Sequence, residues 1–121
     1  MSFAVTDAVS SALGAALDGV ALRQRVIADN IANVDTPGFR ATSVDFESSL
    51  RAAIADGGIA RGDGQVTASA VPTDTPVGVN GNNVDLRKES LAALQSQFQY
   101  QLLTRAVNDR LSLVRTAATG Q

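Results

Sequence analysis

Histidine and cysteine are both absent from the 121 residues of this chain. Without cysteine there is no disulfide and no thiolate nucleophile, and without histidine the commonest general base and metal ligand is missing. Most catalytic templates are excluded on those two counts. Tryptophan is absent too, and aromatic residues make up only 4% although hydrophobic residues reach 45%, so the apolar content is mostly Ala, Val and Leu. Such side chains favour slender helix packing over a bulky globule. There is no excess of positive charge: a net charge of −2 and a pI near 4.8 provide no basic field for nucleic acid or an anionic membrane surface. No run of about 18 apolar residues offers a membrane span. The opening Met1-Ser2-Phe3-Ala4-Val5-Thr6-Asp7 lacks the basic and apolar regions of a cleavable signal, so any export is expected to use another route. The length suits one structural unit, with little room for a large core and an elaborate active site together.

What is present is periodicity. Leu13, Leu17, Val20, Gln24, Ile27, Ile31 and Val34 recur at alternating steps of four and three, a heptad seam with one polar interruption. The spacing predicts a long amphipathic helix from about Val5 to Asn33, roughly 45 Å in length, and a seam that long wants a partner helix. Beside it runs a second stripe of Val9, Ala12, Ala16, Gly19, Arg23, Val26, Asn30 and Asn33, whose small members would admit another helix closely. Both end in Asn30-Ile31-Ala32-Asn33-Val34-Asp35-Thr36-Pro37-Gly38-Phe39. Pro37 lacks an N–H and biases Thr36 away from the helical region, while Gly38 tolerates positive φ, so Thr36 to Phe39 suits a type II turn after a helix end that Asn33 can cap.

Beyond the turn, Phe39 to Val44 reads as extended, and Asp45 can cap a short helix carrying Phe46, Leu50 and Ile54, which Gly57-Gly58 stops. Six of the ten glycines and two of the three prolines then fall between Gly57 and Val84, where Gln65 to Val71 is the only plausible strand. This predicts a flexible insert with at most a weak hairpin. None of its glycines stands in a phosphate-loop or dinucleotide-binding frame. Asp85 is a good N-cap for a second long helix running to about Ala118, although Lys88 stands where a capping box would place an acid; Glu89, one residue later, suits the positive helix end.

On a helical wheel Leu91, Leu94, Phe98, Leu102, Ala106 and Leu113 cluster on one side of that helix, and Tyr100, Leu103, Val107, Leu111, Val114 and Ala118 roughly on the other. One partner cannot cover both. The first helix would take one face, and the face with Leu103, Val107 and Leu111 is expected to meet neighbouring subunits. Alternatively, the short Phe46 to Ile54 helix folds back and covers it.

The asparagine pair with Thr36-Pro37-Gly38-Phe39 resembles the N-terminal signature of the axial proteins of the bacterial flagellum. Val44-Asp45-Phe46, then Gly81-Asn82-Asn83-Val84-Asp85-Leu86 with Glu89, Phe98-x-Tyr100 and Arg110-Leu111-Ser112-Leu113-Val114-Arg115, are similar to the proximal-rod family called FlgB. The likeness runs from about Leu13 to Ala118 outside the insert. It departs at Arg87-Lys88, where the family more often has an acid, and at Ser90, where Met is common. The resemblance implies a structural subunit without catalysis, cofactor, metal or small-molecule substrate. It would be exported unfolded by the flagellar type III system and assembled in the periplasmic rod of the basal body. Its implied partners are further copies, other rod proteins, a FliE-type junction protein and the export gate. The other readings weighed are a different rod or hook-associated protein, a dimeric helical-hairpin adaptor or chaperone, and an enzyme using Asp45 with Glu47 or Asp7 with Asp18. The last pairs are better explained as caps or solvated acids.

The expected organisation is thus mainly α: residues 1–38 form the first helix and turn, 39–56 an extended segment and short helix, 57–84 the insert, and 85–121 the C-terminal helix. The residues expected to assemble or turn are Asn30, Asn33, Thr36, Pro37, Gly38 and Phe39, with Asp85 as the cap. The expected helix interface comprises Leu13, Leu17, Val20, Ile27, Ile31, Leu91, Leu94, Phe98, Leu102, Leu103, Val107, Leu111 and Val114.

Overall fold

A computed structural model describes residues 3–120, with side chains from Asp7 onward. The heptad seam and Ala-rich composition give α1, Phe3–Ala32, and the capped C-terminal stretch gives α4, Leu86–Thr119. At about 1.5 Å per residue these are roughly 45 and 51 Å long. They run antiparallel: Asn33 meets Asn82, Ile27 and Ile31 lie beside Ala93, Arg23 reaches Gln99, and Leu103 packs against the Ala16 and Val20 cluster. Between them come β1, Thr42–Val44; α2, Glu47–Ala55; the single-turn α3, Gly58–Arg61; and β2, Ala70–Pro72. Among the described residues no helix is long and apolar enough to cross a membrane.

The end of α1 is built as its residues dictate. The Asp29 carbonyl accepts twice from Asn33, from its backbone N–H at 3.1 Å and from its side-chain Nδ2 at 2.8 Å, so Asn33 closes the last turn of the helix with both backbone and side chain. The Phe39 N–H then closes a turn on the Thr36 carbonyl at 3.2 Å, with Gly38 at φ +76°, as a type II turn requires. Gly62 in the insert takes φ +85° as well, so the two glycines do not differ in backbone strain.

The middle of the chain departs from its sequence reading in three ways. First, the close approach allowed by the small stripe of α1 is used by a ring. A Cβ on Gly19 would lie 2.3 Å from ring atoms of Phe46, so glycine is required there. Phe46, Ala16, Val20 and Val44 form the core cluster, with Leu50 and Leu103 against it, while Ile54 is exposed and Ala53 is the buried residue of α2. Second, the strand in the insert is shorter than Gln65 to Val71 and makes no local hairpin. It pairs antiparallel with β1 in the register Thr42↔Pro72, Ser43↔Val71, Val44↔Ala70. Pro72 is tolerated because Thr42, its pair, directs its own N–H and carbonyl to Asn30, so no ladder donor is missing there. Third, the last part of the insert is not loose: Asn82 and Asn83 are both buried.

The faces of α4 are also reversed from expectation. Glu89 and Ser96 are buried against α1, and Ala92, Ala93, Gln99, Leu103 and Val107 are half-buried, whereas Leu91, Leu94, Phe98 and Leu102 are exposed. The Leu103 and Val107 side is the covered one, Leu103 partly by the core that Phe46 joins. Its continuation, Leu111 and Val114, is exposed. The reason is size. Ala92, Ala93 and Ser96 let α4 approach α1 closely, which a row of leucines would prevent.

Candidate assembly surface

Three buried asparagines hold the turn between the two long helices, and each reads backbone. Asn30, 1% exposed, accepts from the Thr42 N–H at 3.2 Å and donates to the Thr42 carbonyl at 2.7 Å, so its amide pairs with β1 as a neighbouring strand would. Asn82 Nδ2 donates to the carbonyls of Asn33 at 2.9 Å and Thr36 at 2.8 Å, while its Oδ1 accepts from the Val84 N–H at 2.7 Å. Asn83 Oδ1 accepts from the Ala41 N–H at 2.6 Å, and its Nδ2 donates to the Thr75 carbonyl at 3.1 Å. Primary amides suit this work because they carry a donor and an acceptor side by side without charge. The Gly38 N–H donates to the Asn80 carbonyl at 3.0 Å, and a Cβ on Gly81 would stand 3.2 Å from the Gly38 Cα. The Pro-Gly turn is therefore clasped from the opposite side by the segment that leads into α4. Thr36, Pro37 and Gly38 themselves face solvent, and Phe39 is half-buried.

A second tie is made by Arg23, in the polar part of the small stripe. Its guanidinium donates to the Val44 carbonyl at 2.7 Å, to Gln99 Oε1 at 3.1 Å and to Glu47, and lies 4.9 Å from the Phe46 ring centroid. One side chain thereby joins α1, the end of β1, the start of α2 and α4, using a planar fork of donors that lysine lacks while its face makes a cation–π contact. Next to it Asp45 caps α2 through Ser48, and the Ser48 hydroxyl and then its N–H hold the Asp45 carboxyl below its ordinary pKa. At the other helix start Asp85 accepts from the Lys88 N–H at 3.1 Å, and Lys88, with no acid to replace, reaches the Thr75 hydroxyl at 3.1 Å. The acids considered for catalysis are thus accounted for at Asp45, a cap, and Glu47, an ion-pair partner; Asp7 and Asp18 lie exposed along α1.

On the outer side of α4 four large apolar residues stand in water: Leu91, Leu94, Phe98 and Leu102 are 57%, 52%, 58% and 66% exposed. At about 100° per residue they fall on one strip opposite Ser96, Leu103 and Val107. Leu111, Leu113 and Val114 are exposed further along. On the inner side Val20 and Ile27 are buried, and Leu13, Leu17, Ile31, Leu103 and Val107 are half-buried. The expected interface residues are therefore split between an internal seam and an uncovered ridge. Asn82 and Asn83 were legible only as part of a motif. Their role as backbone mimics had a signal in the pairing of two amides with an adjacent Gly81 that can bring two backbones together.

The family model for flagella basal body rod protein matches residues 11–40, which span the seam, Asn30, Asn33 and the Pro-Gly turn. The chain is 36% identical to the flagellar basal body rod protein FlgB of Bacillus subtilis, over 87% of this chain and 88% of that protein. It is 38% identical to the FlgB of Borrelia hermsii, over 73% and 78%, and 32% identical to that of Escherichia coli, over 79% and 82%. With the Pro-Gly turn inside the family model and a match to whole relatives of that extent, this chain belongs to the FlgB family of flagellar basal body rod proteins.

Proposed function

We propose that the protein is a structural, non-catalytic subunit of the flagellar basal body rod, joined to its neighbours along the outer side of α4. The family match supports the rod. The helical docking is carried by one observation: Leu91, Leu94, Phe98 and Leu102 form a continuous ridge that α1 does not cover. Burying a Leu or Phe side chain is worth about 1.5–3 kcal/mol, so an uncovered ridge of four favours association over a solitary chain. A helical-hairpin adaptor would share the paired helices, and the family match speaks against it.

The finer reading follows the resemblance. The chain passes unfolded through the flagellar type III export gate, assembles in the periplasm with other rod proteins, and meets a FliE-type junction protein at the base. The small core, in which Phe46 is the only buried aromatic side chain among the described residues, offers little resistance to unfolding, and a chain without cysteine cannot be cross-linked in an oxidising compartment. Imaging purified basal bodies with this chain tagged, and again with it deleted, tests the reading. The tag is expected in the rod, and deletion is expected to leave basal bodies without a completed rod. A tag found only on free cytoplasmic dimers would favour the adaptor instead.

A further inference from the structure

The exposed ridge of α4 is closed at both ends by basic side chains. Arg87 and Arg105, 18 residues apart, lie on the same strip as Leu91, Leu94, Phe98 and Leu102, and both are exposed. Eighteen residues are five helical turns, about 27 Å. Gln97 and Gln101 flank the ridge on one side and are also exposed.

The outer side of α1 has the opposite character. Asp7, Asp18 and Asp29 are exposed and recur every 11 residues, which places them along one edge of the helix, with Asp7 and Asp29 about 33 Å apart. Between them the surface is made by Ser10, Gly14, Ala21 and Ala28, and a Cβ on Gly14 would meet no atom within 4 Å. This side is low and acidic, where that of α4 is high and basic at its ends. Each strip carries a single charge of the other sign, Arg25 on α1 and Asp109 on α4.

We propose that the ridge of α4 docks on the Gly14, Ala21 and Ala28 side of α1 of a second copy of this chain, with Arg87 and Arg105 paired to Asp7 and Asp29 of that copy. The inference rests on the rod reading above and names which surface meets which. The two spans differ by about 6 Å, which two long arginine side chains can bridge. The midpoints then coincide near Ser96 and Asp18 whichever way the helices run. Leu94 and Phe98 therefore settle over Gly14 and Ala21, and Asp18 faces the amides of Gln97 and Gln101. Large knobs over small residues allow the close helix approach that two leucine-rich faces would not. The two surfaces are different and lie on different helices, so the contact is heterologous. Each added copy presents a fresh ridge, and the series extends into a filament unless its rotation closes a ring.

The absence of native cysteine makes the contact directly testable. A Phe98→Cys chain, expressed together with a Gly14→Cys chain or with an Ala21→Cys chain and oxidised in purified basal bodies, is expected to give a 14–98 cross-link between copies if the helices run antiparallel and a 21–98 cross-link if they run parallel, with no variant cross-linking when expressed alone. A dominant 98–98 product would mean an isologous contact and would overturn the proposal. So would incorporation of the variants with neither the 14–98 nor the 21–98 cross-link formed. A charge exchange decides the matter if a cysteine variant fails to assemble. The Arg87→Glu, Arg105→Glu chain and the Asp7→Arg, Asp29→Arg chain should each abolish motility alone and restore it when co-expressed, because only the mixture matches acid to base at every contact. Loss of motility that co-expression does not restore would overturn the pairing. A wild-type tagged chain missing from basal bodies would instead be a failure of the rod reading itself.

Discussion

The asparagine clasp and the α4 ridge lie within one frame of two antiparallel helices and obey opposite rules. In the clasp the buried groups are polar, and Asn30, Asn82 and Asn83 each have both side-chain functions paired with backbone. In the ridge the groups are apolar and exposed, with nothing covering them among the described residues. A buried polar group without a partner costs about 1–3 kcal/mol, so the clasp acts only in the geometry it has and sets the angle between turn and helices. An exposed leucine imposes no geometry until something covers it. The difference teaches where the fold ends and assembly begins: the clasp belongs to the subunit, the ridge to its neighbours.

The sharpest way to break that division is the variant Leu94→Ser, Phe98→Ser, Leu102→Ser. Loss of three large apolar contacts should weaken subunit association roughly a thousandfold or more. Its denaturation midpoint should barely move, since the three side chains are already in solvent. A large drop in stability would show that the ridge is part of the fold. The companion triple at Leu103, Val107 and Leu111 should do the reverse at Leu103 and Val107, which pack internally, and destabilise the isolated chain.

Next in size is Asn82→Ala. It strips a donor from the Asn33 and Thr36 carbonyls and an acceptor from the Val84 N–H, and should cost about 3 kcal/mol in urea unfolding. Hydrogen exchange should report the loss first at residues 33–41, with the α4 ridge unaffected.

A smaller effect of opposite sign is expected at Ser96. Its hydroxyl is fully buried at the α1 and α4 seam and has no hydrogen-bond partner among the described residues. Ser96→Ala should raise stability by about 1 kcal/mol, and Ser96→Leu should lower it by forcing the helices apart. Equal stability of the serine and alanine forms would indicate a partner for the hydroxyl in solution.

The least effect is a pH dependence at the Asp45 cap. Its carboxyl is held below the ordinary value, first by the Ser48 hydroxyl, so the cap is complete above the unfolded value of about 4 and is lost as pH falls through the lower folded value. Carboxyl titration by NMR should place Asp45 below the ordinary aspartate value, and Ser48→Ala should move it back up.

The helices, both caps and the Pro-Gly turn were legible in the sequence because each is a local matter. A seam at steps of three and four, Asp85 ahead of a helix, and glycine after proline act within a few residues of themselves. The uncovered side of α4 was misread for a physical reason. Hydropathy ranks Leu91, Leu94, Phe98 and Leu102 as the natural inner face, yet the side that packs on α1 is Glu89, Ala92, Ser96 and Gln99 with Leu103 and Val107, chosen for closeness rather than greasiness. A chain that keeps its largest side chains for another copy cannot be sorted into inside and outside by hydropathy alone.

By itself, then, the sequence determined two long helices, where they begin and stop, and a glycine-bearing turn, since these depend on local dihedral and capping preferences. Only the tertiary structure decided that Phe46 fills the space at Gly19, that β1 pairs with a strand about 30 residues away, and that Asn82 and Asn83 reach back to the turn. Those contacts join residues distant in the chain, and their free energy depends on fit and hydrogen-bond completion in three dimensions, which no local pattern encodes.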